Sequence, residues 1–166
     1  MDTSLEIGRI LGLAFHSNYF AIIECDYFGN IGCKVCLPMN RKNFETPQLK
    51  FILGFLQKER VRITVIENDN SYLFRQLHAF LVGSKVDFIV ISTEGWKSYY
   101  CFNRSKNTQR SESKKILLEA EKRSNGKRMF PDQPFLPRRS CVALGKGFLL
   151  INYILVKGFK KGTGEA

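Results

Sequence analysis

Glu67 and Asp69 are the acids best placed to do chemistry, since they lie two residues apart at the end of a strand-like run, Arg62-Ile63-Thr64-Val65-Ile66. Metal-assisted hydrolysis of a phosphate needs several converging oxygen ligands, because the ion must be held while it polarises the phosphate and activates a water. One or two acids do not assemble such a set. His16, next to Ser17 and Asn18, has the chemistry of a ligand or a base, but an isolated histidine there reads more simply as a turn residue. His78 falls among Leu73, Leu77, Phe80 and Leu81 and reads as a packed side chain. Cys33 and Cys36 have the spacing of half a zinc site. A structural zinc needs four ligands, no second pair exists, and an odd spacing on a strand sends the two thiols to opposite faces. No metal is expected there. Gly145-Lys146-Gly147 and Lys161-Gly162-Thr163-Gly164 lack the spacing of a phosphate-binding loop.

The charge pattern carries more. The net charge is +11, and its sources are uneven. Residues 1–94 hold ten Lys/Arg and ten Asp/Glu, whereas residues 95–166 hold sixteen and five. A neutral half followed by a strongly basic one suggests a surface for a polyanion. Within it, Lys97, Arg104, Lys106, Arg110, Lys114 and Lys115 alternate with Trp96, Tyr99, Tyr100 and Phe102. Such cations neutralise phosphates and release counterions, and aromatic faces stack on unpaired bases. The competing reading is a solvated loop whose rings pack on the core, Trp96 and Phe102 first. Arg138 and Arg139, with Lys157, Lys160 and Lys161, extend the same basic surface.

These residues need a scaffold. The chain has the length of one domain, and its fourteen phenylalanines and six tyrosines are ample for a core. Five scattered cysteines, with no basic segment leading into an apolar one near Met1, fit an intracellular, reducing compartment rather than secretion. The longest apolar run, Phe148 to Val156, is broken by Asn152 and is short of the roughly 20 residues that span a membrane. Residues 7–15, 19–25 and 31–37 read as strands joined by turns short enough to require an antiparallel meander. Thr46 as N-cap and Pro47 in the first turn open a helix. A strand follows at 62–67, a helix from Tyr72 to Gly83, and an apolar strand at 86–92. Residues 93–110 read as a polar, basic connection, 111–123 as a helix, and Pro131, Pro134 and Pro137 as an irregular crossing. A last helix spans 142–156. Right-handed crossovers make the fourth and fifth strands parallel to the first. The result is an α/β, ribonuclease-H-like domain over 1–157, a mixed sheet in the order 3-2-1-4-5 flanked by helices, and a flexible basic tail over 158–166.

In that frame Gly12-Leu13-Ala14-Phe15-His16-Ser17 ends the first strand and Val65-Ile66-Glu67-Asn68 the fourth. Trp96-Lys97 and Ser113-Lys114-Lys115 supply a lysine-rich stretch. Pro137-Arg138-Arg139 and Ala143-Leu144-Gly145-Lys146-Gly147 enter the last helix. The chain resembles the RuvC-like Holliday junction resolvases, and its short length and compact spacing look most like their poxvirus-type branch. The resemblance implies magnesium held by carboxylates on the first, fourth and last of these elements. Here Ala14 stands for the first-strand acid. The last-helix acids fall on Ala143 and Lys146, or on Ser140 and Leu144 in a shifted register. Glu67 and Asp69 are what remains, and Glu24 and Asp26 lie at the far end of the sheet.

The expected function is nucleic-acid binding, of branched or duplex DNA, on a nuclease scaffold that has lost its hydrolytic centre and needs no cofactor. The phosphate contacts would be Lys97, Arg104, Lys106, Arg110, Lys114, Lys115, Arg138 and Arg139. The resemblance also implies a homodimer; no membrane partner is expected. Two alternatives stay open. One is a working magnesium-dependent endonuclease built on Glu67 and Asp69, and the other is a scaffold whose basic face meets an acidic protein.

Overall fold

The computed structural model describes residues 8–39, 43–58, 60–102, 109–131, 133 and 137–158. Arg104 and Lys106 lie outside these, as does the tail from 159 onward, and so does the side chain of Arg110. The meander is formed by β1 (Arg9–His16), β2 (Tyr19–Asp26) and β3 (Ile31–Pro38). Ser17 takes a positive φ of 55° in the first turn. In the second turn the Asp26 carboxylate accepts from the Phe28 and Asn30 amides, and Gly29, at φ 86°, makes the reversal. Then come α1 (Thr46–Leu56), β4 (Val61–Asn68), α2 (Tyr72–Gly83), β5 (Phe88–Ser92), α3 (Thr93–Tyr99), α4 (Gln109–Arg123) and α5 (Arg138–Lys157). The sheet runs β3-β2-β1-β4-β5, antiparallel within the meander and parallel from β1 to β4 to β5. This is the expected topology.

Alternation along the strands sends successive side chains to opposite faces and so makes two cores. Ile10, Ala14, Ile23, Val65 and Ile91 lie on the face covered by α5 and α4, together with Cys36. Leu11, Leu13, Phe20, Ile22 and Ile66 lie on the face covered by α1 and α2, and Cys33 packs there. The two thiols of the Cys-x-x-Cys pair are therefore on opposite sides of the sheet, as the spacing required. Each fully buried large side chain contributes about 1.5–3 kcal/mol of transfer free energy.

Helix α5 is long and apolar enough to cross a membrane, yet most of it is buried inside the fold. It crosses the sheet at very short range. A Cβ on Gly12 would stand 2.7 Å from the Gly147 carbonyl oxygen, and one on Gly147 would stand 3.1 Å from the Ile23 side chain. On its other side a Cβ on Gly145 would meet Ala120 and Ile116 of α4 at 3.3 and 3.4 Å. Gly145-Lys146-Gly147 is thus a helix segment squeezed between α4 and the sheet, and Lys146 is the only one of the three with a side chain to direct.

Four sequence-based expectations are corrected. The N-cap of α1 is Glu45, whose side chain takes part in a capping box with Gln48; Thr46 is the first helical residue. Residues 93–99 are helix α3, capped by the Ser92 hydroxyl, rather than an irregular connection. Helix α4 starts two residues earlier than expected, at Gln109. Helix α5 starts four residues earlier, at Arg138, so Arg138 and Arg139 sit in its first turn. Pro137 is its N-cap, a position where a missing amide hydrogen and a fixed φ do no harm.

Candidate functional site: a buried ion pair at the strand ends

Glu67 points from β4 to the α5 side of the sheet, the same side as Val65, two residues before it. The parallel register pairs Leu13 with Ile66, which puts Ala14 beside Glu67. Ala14 is fully buried against α5. From α5, Lys146 reaches back to the same point. Its ammonium lies 2.5 Å from Glu67 Oε1 and donates to the Phe15 carbonyl at 2.8 Å. The other carboxylate oxygen, Oε2, accepts from Trp96 Nε1 at 2.5 Å and from Thr93 Oγ1 at 2.9 Å. Glu67 is 3% exposed in its side chain and Lys146 12%. A buried charge is tolerated when it is paired and hydrogen-bonded, and both oxygens of Glu67 have donors, one of them the Lys146 ammonium.

This donor set does not fit a divalent cation. The Glu67 oxygens are taken by an ammonium, an indole and a hydroxyl, and Ala14 offers no oxygen. Ala143, one turn before Lys146, is buried in the core. The alternative register fits worse: the Ser140 carbonyl lies against Cys36 on β3, three strands from β4, and Leu144 is apolar and buried. Asp69 is spent on the turn before α2, its Oδ1 accepting from the Ser71 amide at 3.0 Å. Among the described residues, no group of three or more His, Cys, Asp and Glu side chains is arranged to hold a metal. Glu24 and Asp26 pair with Leu11 and Arg9 on β1, at the opposite end of the sheet.

His16 ends β1 beside this cluster, not in the turn, with Nε2 3.2 Å from Ser113 Oγ of α4. Burial, aided by the nearby Lys146 ammonium, pushes its pKa from 6.5 down to about 4. The unfolded chain therefore takes up a proton near pH 6.5 that the folded chain refuses until about 4. Stability from this group is present above pH 6.5, falls between about 6.5 and 4, and levels off below. His16→Gln is expected to remove that component, so urea midpoints of wild type and variant should diverge across this window. Parallel curves would show an imidazole that titrates freely. His78 is packed between the rings of Phe74 and Phe88, as its apolar neighbours suggested.

The basic stretch is built differently from its sequence pattern. Trp96, Tyr100 and Phe102 are buried at 0%, 6% and 6% exposure and pack on one another edge to face or tilted, so they offer no face to a base. Tyr99, half-buried, meets Tyr100 and Tyr153. Lys97 is held by Glu112 at 2.7 Å, and its charge is already matched. Ser113, Lys114, Leu117, Arg138, Arg139 and Val142 line one groove between α4 and α5, with Lys114, Arg138 and Arg139 exposed and no acid among them. Lys115, on the same helix, is half-buried. Sequence reasoning missed Thr93 and Trp96 as partners of Glu67, and Glu112 as partner of Lys97. Thr93 carried a signal, a hydroxyl following an apolar strand that neighbours β4; the single tryptophan carried none beyond its size.

No protein-family model matches the sequence, and no curated protein matches it. Solved structures do match the fold. T. thermophilus RuvC in complex with Holliday junction substrate superposes with a TM-score of 0.57 at 8% identity, covering 93% of this chain and 98% of that one. A further Thermus thermophilus RuvC structure gives 0.57 at 10% identity, with coverage of 92% and 98%. The domain thus has a RuvC-like, ribonuclease-H-like fold. At this identity the likeness is one of architecture, which does not itself fix an activity.

Proposed function

We propose that this chain is a nucleic-acid-binding protein on a RuvC-like nuclease scaffold whose metal centre has been replaced by an ion pair. The observation that carries the reading is the Lys146 ammonium on Glu67, at the point where β1, β4 and α5 meet. A magnesium ion there would have to displace a buried ammonium and recruit oxygens that Ala14 and Ala143 do not have. Charge supports the ligand class. The groove between α4 and α5, with no acid among its described lining residues, presents Lys114, Arg138 and Arg139, and a RuvC neighbour is itself bound to a Holliday junction. Branched or duplex DNA is the proposed partner, with Lys114, Arg138 and Arg139 as the phosphate contacts that the geometry favours.

Binding of a labelled four-way junction and of a duplex, followed by fluorescence anisotropy in EDTA, tests this. Affinity is expected without metal and should fall by roughly 0.9 log unit per log unit of salt for each phosphate neutralised. The R138E/R139E pair should lower that slope by about two. Junction cleavage in magnesium that disappears in Glu67→Gln would instead establish an endonuclease. Absence of salt-dependent DNA binding would leave the basic face to an acidic protein.

A further inference from the structure

Of the rings expected to stack on bases, Trp96, Tyr100 and Phe102 are buried and Tyr99 is half-buried against Tyr100 and Tyr153, but another aromatic in the basic half is displayed. Phe130 is 54% exposed, between Met129 and Pro131, which are both buried. Two anchored neighbours hold the ring at the surface instead of letting it fold away. The Arg128 guanidinium, itself exposed, lies over it 5.9 Å from the ring centroid. Both residues line a concavity of about 570 Å³ whose floor includes Leu117, Met129 and Cys141, and Glu121 is the one acid among its described lining residues. Leu117 and Arg138 also line the groove of Lys114 and Arg139, so the two depressions adjoin.

A lone exposed phenylalanine is ordinary on a protein surface. What sets Phe130 apart is its company: a buried residue on either side, a guanidinium beside the ring, and the cations of the adjoining groove. Arginine-flanked aromatic platforms suit single-stranded nucleic acid, because every base has a stacking face and the phosphates follow the cations. A duplex hides those faces. The excess of Arg128, Arg138, Arg139 and Lys114 over Glu121 gives the surface the charge that such a strand requires.

We propose that Phe130 and Arg128 form a stacking shelf for an unpaired base, with Arg138 and Lys114 taking the phosphates that flank it. This rests on the nucleic-acid-binding reading and adds a substrate class to it: nucleic acid with an unpaired stretch, such as an overhang, a loop or an opened junction.

The probes are fluorescein-labelled oligothymidylate and a blunt duplex. Phe130→Ala is expected to weaken oligothymidylate binding by roughly five- to a hundredfold, and duplex binding by less than about twofold. Leu118→Ala, another exposed apolar residue on α4, should change neither. Phe130→Trp should keep the affinity and place an indole under the base, so its fluorescence is quenched as oligothymidylate is added. Unchanged oligothymidylate binding in Phe130→Ala, or an unquenched Phe130→Trp, overturns the shelf. If R138E/R139E still loses affinity in that case, the wider reading stands without it. A wild-type protein that binds duplex and not oligothymidylate also overturns the shelf alone, and one that binds neither removes both.

Discussion

Replacing Lys146 by methionine is expected to lower the free energy of unfolding by about 3–5 kcal/mol, the range for stripping one partner from a buried ion pair. The methionine keeps most of the stem's volume, so the loss is electrostatic. Glu67 would be left 3% exposed, with hydrogen bonds from Trp96 and Thr93 but no counter-charge, and the Phe15 carbonyl would lose its donor. Adding Glu67→Gln should recover about 2 kcal/mol of the loss, since the amide is neutral and its oxygen still accepts from the indole and the hydroxyl. The E67Q/K146M double variant should therefore be more stable than K146M alone, an inversion that additive effects do not produce. Chemical denaturation of the four proteins measures it. A loss below about 1 kcal/mol in K146M is what an exposed pair would give, and it would show that the carboxylate is reached by water.

The elements legible in the sequence were those whose signal is local. Short apolar runs bounded by Ser17-Asn18 and by Asp26 to Asn30 define the meander without help from the rest of the chain. Helix α3 was illegible because seven residues give too few turns for a period, and Gly95 and Thr93 weaken propensity. The start of α5 was hidden by the prolines before it, although Pro137 serves as its cap. At the site, Ala14, Glu67 and Lys146 could be brought together from topology plus family resemblance, since a parallel register fixes which strand ends are neighbours. The shell around Glu67 could not, because Thr93 and Trp96 reach it only through the pairing of β4 with β5 and the immediate entry into α3. The alternation of cations with aromatics misled for a related reason. Helical periodicity turned Trp96 and Tyr100 inward, and Glu112, far along the chain, paired with Lys97.

The A14D/K146D variant is expected to make stability depend on magnesium. Ala14 lies beside Glu67 in the sheet and Lys146 touches it from α5, so the two substitutions converge three carboxylates on one buried point. Without metal, an ammonium has been lost and like charges face one another at low dielectric, a penalty on the order of 5 kcal/mol. With magnesium the same oxygens become ligands. Binding to the folded state alone stabilises by RT ln(1 + [L]/Kd), about 2.7 kcal/mol at a hundredfold excess over Kd. For a domain of this size that raises Tm by roughly 5–10 °C. The A14N/K146N pair separates charge from shape: it removes the same ammonium and fills the same space, but it offers weak neutral ligands and should respond to magnesium little more than wild type. If A14D/K146D is unfolded in EDTA, recovery of its helical circular dichroism on adding magnesium reads the same linkage. An A14D/K146D protein that is folded and indifferent to magnesium would mean that Ala14, Glu67 and Lys146 do not share a point. So would one that stays unfolded with magnesium while A14N/K146N folds. The proposed replacement of a metal centre by an ion pair would then lose its geometric basis.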